Sequence, residues 1–122
     1  MTAREYETGA ARHTNMTDLE TLEAADAACS KFTAAWRNRY AAPGVAQSEV
    51  DDLIAVLRDL GFAISGREGH AGSRVTHVRC DRFGTFSVWA AVTVDHAGGE
   101  PEANATAWAC VYDVGAARAR LA

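Results

Sequence analysis

At 122 residues and 48% hydrophobic content, the chain suits one globular domain that buries roughly two-thirds of its unfolded surface. Net charge is −4, with ten acids against six bases in residues 1–60 and six of each in 61–122, so the basic footprint of a nucleic-acid binder is missing. No apolar run approaches the roughly 20 residues of a membrane span and the N-terminus lacks a signal-peptide stretch, which predicts a cytoplasmic protein.

Residues 1–15 have no apolar period and are expected to form a flexible tail; Met16, directly after them, offers a second translation start besides Met1. Thr17-Asp18-Leu19-Glu20 fits a capping box, in which the Thr hydroxyl takes a backbone N–H and the Glu reaches back to the cap. Leu22, Ala25, Cys29, Phe32, Trp36 and Tyr40 then recur three and four apart. They predict one apolar, core-facing helix stripe that ends near Ala42-Pro43-Gly44. Ser48 is expected to cap a second helix, with Glu49, Asp51 and Asp52 in its first turn as solvated partners of the helix dipole. Val50, Leu53, Ile54, Leu57 and Leu60 form the buried face of that helix, and Gly61 stops it.

Phe62 to Ser65 reads as a short strand, followed by a turn through residues 66–72. Arg74 to Val94 reads as a hairpin about Asp81-Arg82-Phe83-Gly84, a type I turn with Gly84 left-handed in a bulge. With Arg82-Phe83-Gly84 as the loop, Cys80 faces Phe86 and Val78 faces Val88 on an inward side. Arg79 then faces Ser87, and His77 faces Trp89, on an outward side. Asn104 to Val114 continues the sheet after a loop over residues 95–103. Symmetric closure would set Trp89 across from Cys110 and Ala91 across from Trp108, which sends Trp108, Cys110 and Tyr112 outward. A slip of one residue would send all three to the core.

The order is helix, helix and four antiparallel strands: an α+β domain with two N-terminal helices on one face of a meander sheet. The domain is expected to span residues 16–115, with residues 116–122 a tail that adds a helical turn or frays. Cys29, Cys80 and Cys110 are odd in number, widely spaced and on apolar faces, which predicts buried free thiols rather than disulfides or a metal site. The four histidines, His13, His70, His77 and His96, share no metal spacing, and no nucleophile-elbow, phosphate-loop or metalloprotease motif occurs. No cofactor is expected.

The candidate working surface is the outward sheet face, with His77, Arg79, Trp89, Trp108 and Tyr112 as its binding residues. Trp, Tyr and Arg dominate interface hot spots because each buries a large area while keeping a polar handle. These features predict a non-enzymatic interaction module, an accessory or inhibitory protein of the kind common among phage and mobile-element products. Its partner would be another protein, including a second copy of itself as a homodimer; nucleic acid and membrane are not expected. The alternatives are a face buried as a second core layer, or the wall of a small-molecule or enzymatic pocket anchored by Arg79 or His77. A further alternative comes from Leu57-Arg58-Asp59-Leu60-Gly61-Phe62 followed by Gly69-His70 and a hairpin. That run resembles the opening of HicA-type ribonuclease toxins, and the resemblance implies His70 as a catalytic base.

Overall fold

A computed structural model describes residues 16–70 and 72–122; the tail expected over residues 1–15 lies outside them. The elements are α1 (Asp18–Trp36), α2 (Pro43–Asp59), β1 (Ala63–His70), β2 (Ser73–Phe83), β3 (Phe86–His96), β4 (Ala105–Val111) and α3 (Val114–Leu121). The strands form one antiparallel sheet in the order β1-β2-β3-β4, and α1 and α2 pack on one of its faces. This is the α+β meander that the sequence predicts. Among the described residues, no helix is long and apolar enough to cross a membrane.

The capping box forms as expected: the Thr17 hydroxyl accepts from the Glu20 amide at 3.0 Å, and Glu20 accepts from the Thr17 amide at 3.1 Å. Leu22, Ala25, Cys29 and Trp36 are buried along α1, but the helix ends at Trp36, short of the expected Ala42, and Tyr40 lies exposed beyond it. Asn38 turns the chain with φ +58°, a conformation that its short polar side chain tolerates. Arg39 closes the corner, its guanidinium 4.0 Å above the Trp36 ring and paired with both Glu49 carboxylate oxygens. The start of α2 also departs from expectation. Its cap is Ala42 and Pro43 opens it, so Ser48 sits inside the helix and Asp51 and Asp52 lie beyond the first turn. Proline fits the first helical position because no N–H is needed there, and it forces the preceding residue to be extended.

The hairpin register differs from the sequence reading by two residues. Cys80 pairs with Val88, Val78 with Ala90, His77 with Ala91 and Arg79 with Trp89, while Phe83 faces Phe86 across a two-residue turn of Gly84 and Thr85. Gly84 has φ +72°, which a first central turn residue can adopt freely only without a Cβ, and a bulge between Cys80 and Phe83 absorbs the odd residue. On the other side Ala91 pairs with Cys110 and Thr93 with Trp108, again two residues along from expectation. A shift of two preserves the face of every side chain. Val78, Cys80, Val88, Ala90, Val92 and Val94 are accordingly buried beneath the helices. The first strand is longer than expected, since residues 66–70 pair with β2 instead of turning.

The free edge of β4 is covered. Ala41 and Ala105 exchange two backbone hydrogen bonds, and the Thr33 hydroxyl accepts from the Ala109 amide at 2.8 Å and donates to its carbonyl at 2.9 Å. Small residues at Ala105, Ala107 and Ala109 face the helix side, where larger groups would hold α1 away. The stretch expected to add a helical turn or fray forms the helix α3. It docks through buried Ala117, with Arg118 paired to Glu23 and to Asp26 of α1. At the far end of the sheet, a Cβ on Gly72 (φ +90°) would lie 2.3 Å from the Gly99 Cα, so two turns pack backbone on backbone.

Candidate binding face

The helices cover one sheet face and leave the other uncovered across its aromatic rows. Antiparallel partners share a face, so the register arranges the outward residues in rows across the strands. One row runs Ala63, Arg79 and Trp89, and continues to Tyr112, whose amide bonds the Trp89 carbonyl at 2.8 Å. The next runs Gly66, His77, Ala91 and Cys110, and the third runs Glu68, Val75, Thr93 and Trp108. All five candidate residues, His77, Arg79, Trp89, Trp108 and Tyr112, therefore stand on the face the sequence predicts.

Small residues in the middle row let large rings lie over the sheet. The His77 and Tyr112 rings approach to 6.3 Å between centroids, and Ala91 and Thr93 are each only 1% exposed. The rings themselves stay open to solvent: Trp89 and Trp108 are each 38% exposed and Tyr112 is 42% exposed. A second core layer would have buried them. Burial of its phenol, with smaller contributions from Cys110 and Glu68, still raises the Tyr112 pKa above the ordinary value.

Polar partners fix the orientation of both indoles. The Arg79 guanidinium lies 5.2 Å from the Trp89 ring centroid, within cation–π range. Asp81 holds that guanidinium at 3.0 Å and is itself bonded by the Ser87 hydroxyl. The Trp108 indole N–H donates to Asp95 at 2.8 Å, and Ser73 donates to the other oxygen of the same carboxylate at 2.8 Å. Rings held this way lose less side-chain freedom when a partner covers them. His77 Nε2 is 3.7 Å from Glu68 Oε2 and has no hydrogen bond among the described residues.

The sequence reading missed Asp81 and Asp95 as orienting groups. Strand parity was the available signal for Asp95, which shares a face with Trp89 and Thr93. It also missed α3 as a border of the patch. Phe86, Trp89, Tyr112, Ala116 and Arg120 line an opening of about 180 Å³ there, and the Arg120 guanidinium stacks 4.0 Å from the Phe86 ring centroid.

Cys110 is half-buried, and burial raises its thiol pKa, the opposite of what activates a nucleophile. Among the described residues, no three His, Cys, Asp or Glu side chains converge as a metal site. His70 ends β1, exposed and opposite Ser73, without a hydrogen-bond or ion-pair partner among the described residues. No family model matches the chain, and neither curated proteins nor solved structures yield a match to it.

Proposed function

We propose that the protein is a non-enzymatic interaction module that binds another protein through the outward sheet face. One observation carries this reading: three large aromatic residues stand more than a third exposed on a single face, with Arg79 and Asp95 holding the two indoles. Large aromatic residues gathered on one exposed face with polar handles are characteristic of interaction surfaces. The pocket reading has less support. The opening beside Trp89 and Tyr112 measures about 180 Å³, below the roughly 300–1,000 Å³ of small-molecule sites.

The test is affinity capture from the native host with the parent chain, with Trp89→Ala and Trp108→Ala, and with Tyr40→Ala. Tyr40 is an exposed aromatic residue outside the strands, and so serves as the control. Loss of one captured protein with both tryptophan variants but not with Tyr40→Ala is the expected result. An identical captured set for all four chains would overturn the reading. If parent fluorescence shifts with protein concentration and that of Trp89→Ala does not, the partner is a second copy. Incubation with RNA beside a His70→Ala control tests the ribonuclease alternative, which falls if both samples behave alike.

A further inference from the structure

The opposite face carries a second arrangement, at the corner where β1 and β2 extend past the helices. The β1–β2 register slips by one between Ile64 and Gly66, with Ser65 as the extra residue. An unbroken register continuing the Ala63–Arg79 pairing would set Glu68 opposite Arg74, acid against base. The bulge instead turns Glu68 to the outward face, near His77, and pairs Arg67 with Thr76 and Gly69 with Arg74 on the helix side. Bulges at sheet edges commonly re-aim a side chain in this way.

Two guanidiniums consequently stand diagonally on adjacent strands, close enough for long side chains to converge on one point. Neither Arg67 nor Arg74 has a carboxylate partner among the described residues. The nearby Gln47 amide is bonded to Asp51, four residues along the same helix. A pocket of about 330 Å³ lies between these groups, lined by Gln47, Arg67, Gly69, Arg74 and Thr76 and also by Val75 and the Glu68 carboxylate. Thr76 is 9% exposed, and its hydroxyl has no hydrogen-bond partner among the described residues. A Cβ on Gly69 would meet nothing within 4 Å, so that residue leaves the pocket open. Two uncompensated guanidiniums on neighbouring strands repel one another. One ligand suits this arrangement: a compact oxyanion that takes two guanidiniums and the Thr76 hydroxyl as donors.

We propose that this corner binds the phosphate group of a small phosphate ester, clamped by Arg67 and Arg74 above the Thr76 hydroxyl. The volume exceeds that of a bare phosphate and leaves space for a short ester group beside Gly69. The site lies on the face opposite Trp89 and Trp108, so it stands or falls independently of the interaction surface.

The experiment titrates the full ¹⁵N-labelled chain with glycerol phosphate and with inorganic phosphate, each against sodium chloride at matched ionic strength. Saturable amide shifts confined to Gln47 and residues 67–76, with the ester the tighter ligand, are expected. Arg67→Gln and Arg74→Gln should each weaken binding by about tenfold or more, and Thr76→Val by less. Gly69→Leu should abolish binding by filling the pocket. In chloride alone, Arg67→Gln should melt no lower than the parent, because a like-charge neighbour has gone. Shifts that chloride reproduces, or that persist in the double arginine variant, would overturn the site, as would no saturable shift at all. A lower melting point for Arg67→Gln in chloride would assign the arginine to the fold and overturn the proposal. Equal affinity for the two phosphates would overturn the ester assignment.

Discussion

Replacing Thr33 by valine keeps the branched shape of the side chain and removes one hydroxyl. That hydroxyl serves both the amide and the carbonyl of Ala109, so the substitution leaves two backbone groups of β4 without partners. A buried polar group stranded in this way costs about 1–3 kcal/mol. The contact is partly buried and water reaches some of it, so the lower end applies to each group and the total is about 2 kcal/mol. In a domain of this length 1 kcal/mol moves the melting temperature by roughly 3–5 °C, which predicts a fall of about 6–10 °C. Thr33→Ser retains the hydroxyl and loses only a methyl group, at a cost of less than about 1 kcal/mol. Thermal and urea unfolding followed by far-UV circular dichroism measure both variants, and hydrogen exchange reads the Ala109 amide directly. If valine proves as stable as serine, or leaves Ala109 exchange unchanged, the hydroxyl does not close the sheet edge.

Gly72→Ala drives a Cβ to 2.3 Å from the Gly99 Cα at φ +90°, so urea unfolding should show a loss above about 2 kcal/mol. Gly69→Ala meets open space and should stay within about 0.5 kcal/mol of the parent. Burial above all, with Cys110 and Asp26 adding to it, pushes the Cys29 thiol up to about 12 from the 9.0 of an exposed thiol. The unfolded thiol loses its proton first as pH rises, so the stability is complete below about 9 and is lost between there and 12. For this one group the loss is about 1.4 kcal/mol per pH unit, and Cys29→Ala should flatten the alkaline limb of a stability–pH curve by that slope. Iodide should quench Trp89 and Trp108, each 38% exposed, and spare Trp36 at 1%. The residual emission of a Trp89→Phe, Trp108→Phe double variant should therefore resist quenching; strong quenching would contradict the assigned faces.

Which face each strand residue occupies was legible because alternation has a period of two. Trp89, Trp108, Tyr112, His77 and Arg79 therefore stand where that pattern put them, although every pairing is displaced by two residues. Register depends on turn length, and nothing local distinguishes a loop of Arg82-Phe83-Gly84 from one of Gly84-Thr85 with a bulge before it. The bulge at Ser65 was not legible either, since a small polar residue carries no mark of being extra. At α2 two local signals competed, and the fixed φ of Pro43 prevailed over the hydroxyl of Ser48. The helix α3 depends on Arg118 meeting Glu23 and Asp26 across more than 90 residues, a partnership invisible in the composition of the tail alone.

Thr33 and Ala41 occupy one border of the sheet, and among the described residues no strand pairs with the other border, β1. Two copies joined there about a two-fold axis must oppose residues of the same face, so centred registers set Arg67 against Arg67 or Glu68 against Glu68. The extra residue at Ser65 further spoils the straight ladder such a union needs. The charge pattern of β1 thus discourages a second copy from zipping along it, whereas a strand with different charge spacing meets no such obstacle.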